Sequence, residues 1–285
     1  MNLVAPIIAG ILLGVASCLS CYQVYRNLKN LKYPAAQKIT LIFFMIPVLI
    51  GWTEWINLVT LELIPMVIIL SNIYRCIVIG GFYYYLITMM GRTETDEKLT
   101  YSESTLHKSM NCLIGTQTKF FCKKVRLSSL EDVKSYFRRS KLFILQCPIF
   151  VLGYLIVFLV TILASPDNSL PISIASGVKG SSVLLAIINS KRLVKNVKHT
   201  PALQGLRIVA KKWSCKLSML ITIIQPLVIS LILGLSGTYS LPLVYYINSI
   251  LICGEMILVC LLQYKLFPLQ DYQAPPTYEV NLING

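Results

Sequence analysis

Seven stretches of the sequence are apolar over about 20 residues each, the length that an α-helix needs to cross the hydrocarbon core of a bilayer. They lie at 3–24, 40–60, 64–90, 142–164, 170–189, 217–236 and 241–264. The fifth is the most polar, because it contains SIASGVKGSS. Only 13% of the residues are charged, against about 25% in a typical soluble domain. The sequence therefore predicts an all-α polytopic membrane protein with seven transmembrane helices.

The basic residues divide unevenly between the two ends of these predicted spans. Of the 26 Lys and Arg residues, all except Arg75 and Lys179 follow spans 1, 3, 5 or 7 directly. Because cytoplasmic loops are enriched in Lys and Arg, this pattern places the N-terminus outside and the C-terminus in the cytoplasm. The net charge of +14 then indicates topology and contact with anionic membrane lipid, and we expect no nucleic-acid partner.

We predict a seven-helix transmembrane domain over 1–268, with a cytoplasmic loop at 91–141, followed by a flexible cytoplasmic tail over 269–285. The tail contains Pro275, Pro276 and Tyr278 in a P-P-x-Y run. Such a run adopts the extended polyproline form that WW domains bind, so a WW-domain protein is a candidate partner.

Two cysteines, Cys112 and Cys122, lie in the cytoplasmic loop. They are either reduced thiols or sites of S-acylation beside the membrane. Their spacing lacks the paired Cys-x-x-Cys or His partners of a zinc site, so we expect neither a metal nor another cofactor. The two histidines, His107 and His199, also fall in loops without a nucleophile arrangement, and we do not expect an enzyme.

Four ionisable residues fall inside the predicted spans: Glu54, Arg75, Lys179 and Glu255. Each unpaired charge at mid-membrane costs at least about 2.5–3.5 kcal/mol, so these side chains must face the bundle interior or water. They either neutralise one another as buried pairs or line a polar groove for an anionic solute. Small polar residues next to Lys179 favour either a cavity or close helix packing there. The candidate substrate path is therefore Arg75, Lys179, Glu54, Glu255, Ser181 and Ser182.

Five segments in order resemble the organic solute transporter alpha-subunit and transmembrane protein 184 family. They are LKYPAAQKITLIFFMIP (31–47), NIYRCIVIGGFYYYL (72–86), FRRSKLFILQCP (137–148), Lys216 with Gln225, and LICGEMILVCLLQYKLFPLQDY (251–272). The resemblance implies seven helices with the N-terminus outside, facilitated transport of bile-acid and steroid conjugates, and a small single-span partner chain. It also implies acylated cysteines before helix 4, which Cys112 and Cys122 match loosely.

The chain departs from the family pattern at Arg75, where the family usually has glutamate, and it lacks the dense cysteine cluster of the animal subunits. Glu255 matches the family glutamate of helix 7, and we expect it to face Arg75. The stripe Gly10-x-x-x-Gly14 predicts close approach of a second helix, either within the chain or from a partner.

We predict an organic solute transporter-like protein that moves amphipathic organic anions in the plasma membrane or an endomembrane, with a single-span chain or a second copy as partner. The alternative is a membrane scaffold or trafficking protein of the transmembrane protein 184 type. A seven-helix receptor is a third interpretation. The short connection at 165–169 and the absence of an outer cysteine pair argue against a receptor.

Overall fold

The computed structural model describes residues 4–60, 64–95, 98–120, 123–164, 170–238 and 241–272, for some helix positions by the backbone alone. Within this part of the chain, seven helices have 26 to 35 residues. They are α1 (Val4–Lys29), α2 (Pro34–Val59), α3 (Ile64–Met90), α5 (Leu130–Ala164), α6 (Leu170–Val197), α7 (Ile208–Leu235) and α8 (Leu241–Leu266). A short helix α4 (Glu103–Asn111) lies between α3 and α5.

By length and composition, five of the described helices contain a stretch that can cross a membrane. These stretches are Val4–Lys29, Pro34–Val59, Asn72–Met90, Leu130–Thr161 and Tyr246–Leu266. Large apolar side chains such as Ile11, Leu152 and Ile156 are exposed on their outer faces. The structure thus confirms a predominantly helical, polytopic membrane protein.

The helices pack in two groups that meet at α3. In the first group α2 lies between α1, α3 and α8, and α8 also packs on α7. In the second group α5 and α6 pack along each other, and α5 joins the first group through α3. By contrast, α6 makes only limited contact with α3 and α7.

Glycine permits the closest helix approach inside the first group. A Cβ atom added at Gly51 of α2 would lie 2.5 Å from Leu13 Cδ1 of α1, so a larger residue at this crossing requires the Leu13 side chain to move. A Cβ atom at Gly10 of α1 would lie 3.0 Å from Trp55 Nε1 of α2, while Gly14 has open space. The predicted close approach along α1 is therefore internal at Gly10.

Helix α5 begins at Leu130, twelve residues or about three turns before the predicted span at 142–164. The reason is a capping arrangement at its start. The Ser129 hydroxyl accepts a hydrogen bond from Asp132 N, and the Asp132 carboxylate accepts hydrogen bonds from the backbone N–H groups of Ser128 and Ser129. These bonds satisfy donors that an uncapped helix leaves open, so the helix extends into the loop predicted at 91–141.

The loop at 91–141 contains β-structure that the sequence analysis did not predict. Strands β1 (Arg92–Thr95) and β2 (Lys98–Tyr101) form one antiparallel hairpin, and β3 (Gln117–Phe120) and β4 (Lys123–Arg126) form another. Asn196 Nδ2 of α6 donates to Thr118 Oγ1 and to Tyr136 Oη, each at 2.9 Å. The second hairpin is therefore fixed to the inner ends of α5 and α6.

The structured part of the chain extends past the boundary predicted at 268. Residues Leu269–Tyr272 form a 3-10 helix, and Tyr272 is fully buried. The Tyr272 hydroxyl lies 2.7 Å from Thr40 Oγ1 of α2 as a hydrogen-bonded pair. Burial of a tyrosine with its hydroxyl satisfied stabilises this segment, so the first four residues of the predicted tail belong to the helical domain.

The start of α2 is held by Gln37, whose side chain is completely buried. Its Oε1 atom accepts hydrogen bonds from the backbone N–H groups of Lys32 and Tyr33, both at 2.8 Å. Its Nε2 atom donates to the carbonyl oxygen of Asn30 at 2.8 Å. One side chain thus satisfies the backbone of the α1–α2 turn, while Tyr33 Oη donates to the Thr88 carbonyl at 2.7 Å.

Gln37→Leu is expected to lower the free energy of unfolding by about 2–4 kcal/mol, because it leaves several buried backbone groups without hydrogen-bond partners. Unfolding of the purified protein in detergent measures this change. Gln204→Leu is the matched control, since Gln204 is exposed and its replacement is expected to be nearly neutral. Equal stability of the two variants would contradict the role given to Gln37.

Candidate functional site

A small pocket lies where the C-terminal halves of α3 and α6 meet the N-terminal part of α7. Apolar side chains of α3 and α6 form most of its wall, and α7 contributes two lysines. The lining residues are Val78, Ile79, Phe82, Ile187, Ser190, Lys212, Cys215 and Lys216. The pocket therefore combines an apolar wall with positive charge, which is the chemistry that an amphipathic anion requires.

The two lysines are partly or fully shielded from solvent, and within the described part of the chain neither has a carboxylate partner. Lys212 is 5% exposed and Lys216 is half-buried. They are four residues apart on one helix, so their side chains lie on the same face and their like charges repel. Among the described residues no carboxylate forms an ion pair with either lysine. Lys216 Nζ donates to the Ile187 carbonyl at 3.5 Å, a long hydrogen bond.

Burial of unpaired ammonium groups is unfavourable, because the low-dielectric interior does not replace the lost hydration. An anion placed between Lys212 and Lys216 would reduce the repulsion between them and offset part of the desolvation cost. The cavity itself holds about 10 Å³ in this conformation, room for about one water molecule. In this conformation the pocket is therefore too small to hold a larger solute.

Next to this pocket, Lys211 forms an ion pair, which Lys212 and Lys216 do not form with any described residue. Lys211 is completely buried and pairs with the Asp271 carboxylate. Its Nζ atom also donates to Tyr85 Oη at 2.9 Å. Arg92 Nη1 donates to the Asp271 carbonyl at 2.8 Å. We call Lys211, Asp271, Tyr85 and Arg92 the inner latch, because they join α7, the 3-10 helix after α8, α3 and β1.

Burial raises the pKa of the Asp271 carboxyl above its usual range, and the positive charges of Lys211 and Arg92 oppose that rise. Tyr85 lies one turn from the pocket residue Phe82 on α3, and Lys211 directly precedes Lys212 on α7. The inner latch therefore fixes the relative position of the two helices that form one side of the pocket.

The residues predicted for the substrate path fall at two different helix contacts. Lys179 of α6 lies over the Tyr154 ring of α5, with Nζ 3.7 Å from the ring centroid. This cation–π contact partly compensates the charge within the helix pair. Glu54 of α2 is buried and accepts a hydrogen bond of 2.8 Å from Ser249 Oγ of α8. Lys179 and Glu54 thus have separate partners and do not share one site.

The other predicted path residues differ in their surroundings. Ser181 is exposed and donates to the Gly177 carbonyl within α6. Ser182 Oγ and Glu255 Oε2 are buried and have no hydrogen-bond partner within the described part of the chain. The side chain of Arg75 lies outside the described residues, so its pairing with Glu255 stays a prediction.

Of the two loop cysteines, Cys112 is exposed and lies at the C-terminal end of α4. Cys122 lies outside the described residues, as do Pro275, Pro276 and Tyr278. S-acylation and WW-domain binding therefore stay predictions.

Lys212 was not predicted as a site residue, because the apolar pattern placed the start of the sixth span at 217. The structure begins α7 at Ile208, so Lys212 and Lys216 are helical and face α3 and α6. The spacing of four residues between the lysines was the available signal, since it places both on one helix face. Lys216 was named only in the family resemblance and was not predicted to line a site.

The family model of the organic solute transporter Ostalpha matches residues 5–272, nearly the whole chain. The chain belongs to the organic solute transporter Ostalpha family. This match confirms the resemblance drawn from the five sequence segments, and it includes the pocket and the inner latch. Neither a curated protein nor a solved structure shows a significant match to the chain. Membership in the Ostalpha family indicates a transporter-like membrane protein rather than an enzyme.

Asp271→Asn is expected to destabilise the protein by about 3–5 kcal/mol, because it leaves the Lys211 ammonium buried without a counter-charge. The double variant Lys211→Met with Asp271→Leu removes both charges and is expected to recover most of the loss. The Tm of each variant in detergent measures the effect. A double variant less stable than Asp271→Asn would contradict the assignment of Lys211 and Asp271 as a charge pair.

Proposed function

We propose that this Ostalpha-family chain moves amphipathic organic anions across the membrane, and that Lys212 and Lys216 bind the anionic group. The observation that carries this proposal is a pair of shielded lysines in an apolar pocket between three helices, where no described carboxylate pairs with either. Steroid and bile-acid conjugates have the matching chemistry, since each joins a rigid apolar ring system to one acidic group.

In the proposed topology all seven long helices cross the bilayer, with the N-terminus outside and the C-terminus in the cytoplasm. The distribution of Lys and Arg supports this orientation. Helix α7 has 28 residues, a length of about 42 Å, whereas the hydrocarbon core is about 30 Å thick. Its first turns therefore extend into the inner interface, and Lys212 and Lys216 lie at the cytoplasmic mouth of the bundle.

The pocket supplies a different interaction for each part of such a solute. The ammonium groups pair with a sulfate or carboxylate, which offsets the cost of keeping them out of water. Phe82, Ile79 and Ile187 offer an apolar surface to the rings, and burial contributes about 25 cal/mol for each Å² of apolar surface removed from water. A neutral sterol gains only the burial of its apolar surface and no charge pairing. We therefore expect selectivity for the conjugated form.

Entry of a steroid-sized solute requires the pocket to widen. Helix α6 packs mainly along α5 and has few contacts with α7, whereas α7 is held by α8 and the inner latch. The α5–α6 pair is therefore the part of the bundle that separates most readily from α3 and α7. We propose that this separation opens the path and that the lysine pair binds the solute on the cytoplasmic side.

Uptake of labelled steroid sulfate by proteoliposomes tests the proposal. Lys212→Met with Lys216→Met is expected to reduce flux by at least about tenfold, because a charged hydrogen-bond partner contributes about 1.5–3 kcal/mol. Lys29→Met is the control, since Lys29 is an exposed lysine at the inner end of α1. It is expected to retain wild-type flux.

The same experiment separates loss of binding from loss of folding. Removing unpaired buried charges is expected to leave the Tm in detergent unchanged or higher, so a low flux with an intact Tm indicates loss of the anion site. Wild-type flux in the double variant would exclude Lys212 and Lys216 from the transport path.

A further inference from the structure

A second and larger groove lies on the cytoplasmic side, between the β3–β4 hairpin and the inner end of α6. Its volume is about 460 Å³, within the range of pockets that hold small molecules. Four of its eight lining residues are basic, and none of the eight is acidic. The lining residues are Gln117, Thr118, Lys124, Ile188, Lys191, Arg192, Lys195 and Asn196.

We propose that this basic groove binds the headgroup of a membrane lipid carrying more than one phosphate, a phosphoinositide. The proposal depends on the cytoplasmic orientation given above and does not depend on transport. Basic pockets at the cytoplasmic ends of transmembrane helices are the sites where such headgroups bind. The hydrogen-bonded walls of the groove, its positive charges and its position on α6 support this ligand.

The walls of the groove are held in place by hydrogen bonds. Asn196 of α6 donates both to Thr118 of β3 and to Tyr136 of α5. These two bonds, each 2.9 Å long, fix the hairpin against the helices. Lys124 of β4 therefore stays opposite Lys191 and Lys195 of α6. A preformed site of this kind loses little conformational entropy when an anion binds.

The basic residues of α6 repeat at helical spacing along one face. Lys191 and Lys195 are four residues apart, so their ammonium groups are neighbours that repel each other. Lys124 brings a third positive charge from the facing strand. A ligand with one negative charge balances only part of this group, whereas a headgroup with several phosphate charges matches it.

The same face of α6 changes from apolar to basic along its length. Leu184 is an exposed apolar residue, Ile188 lies at the edge of the groove, and Lys191 and Lys195 follow toward the cytoplasm. The distance from Leu184 to Lys191 along the helix is about 10 Å, which exceeds the depth of one headgroup layer. An acyl chain next to Leu184 and a headgroup between the lysines fit this order, so the groove suits a lipid better than a free phosphate compound.

Binding of dioctanoyl phosphatidylinositol bisphosphate to the purified full chain in detergent tests the inference. Lys191→Gln with Lys195→Gln is expected to weaken binding by at least about tenfold, because each interfacial lysine contributes about a factor of five. Lys124→Gln is expected to weaken binding by about fivefold. Lys198→Gln is the matched control, since Lys198 is an exposed lysine of the same segment outside the groove, and it is expected to bind as the wild type does.

Two further ligands distinguish the source of the phosphate. Dioctanoyl phosphatidylserine, with a single net charge, is expected to bind at least about tenfold more weakly than the bisphosphate lipid. Free inositol trisphosphate lacks the acyl chains and is also expected to bind more weakly. Equal binding of either compound would overturn the assignment to a multiply phosphorylated lipid. Equal binding of the bisphosphate lipid by the wild type and by Lys191→Gln with Lys195→Gln would overturn the site itself.

Discussion

The inner end of α7 carries Lys211, Lys212 and Lys216 within two helical turns, and the surrounding structure depends on how their charges are neutralised. Lys211 is completely buried, and it pairs with Asp271 from a segment 60 residues further along the chain. Because a buried ammonium without a counter-charge is unfavourable, this pair holds the 3-10 helix after α8 beneath the bundle. Lys212 and Lys216 have no such partner among the described residues, and this difference is the basis for proposing them as the anion-binding groups.

Because Lys211 is paired across several elements, one part of the bundle is held more firmly than the other. The inner latch joins α7 to α3 and to the segment after α8, whereas α6 packs chiefly on α5. The pocket lies on the boundary between these two groups, so a small displacement of α5 and α6 changes its size. The basic groove and the pocket use neighbouring residues of the same part of α6. Ile188 and Lys191 line the groove, and Ile187 and Ser190 line the pocket. A lipid in the groove therefore contacts the helix whose movement is proposed to open the pocket.

Much of the helical architecture was predictable from sequence, because apolar segments of about 20 residues leave few alternatives in a membrane. The resemblance in five short segments also identified the family. The predicted helix boundaries were less accurate at the starts of α5 and α7, where polar residues interrupt the apolar pattern. The first turns of α5 and α7 carry charges, so hydropathy placed both starts too late. Their helical state depends on capping by Ser129 and Asp132 and on tertiary contacts of Lys211.

The site residues were harder to predict because their partners are distant in sequence. Asp271 and Tyr85 meet Lys211 across 60 and 126 residues, and neither spacing carries a local signal. The four-residue strands β3 and β4 are too short and too basic to show an alternating apolar pattern, so the hairpin that forms one wall of the groove was not predicted. Sequence reasoning singled out the charges within the predicted spans but did not reveal that Lys179 contacts Tyr154 and Glu54 contacts Ser249.

Photo-crosslinking with a photoreactive steroid sulfate tests the central claim most directly, since it maps the solute on the chain by mass spectrometry. The account predicts adducts on α3 near Phe82, on α6 near Ile187 and on α7 near Lys216, all displaced by excess unlabelled steroid sulfate. Displaceable adducts confined to other surfaces, such as the contact between Glu54 and Ser249, would contradict the assignment of the lysine pocket as the anion site.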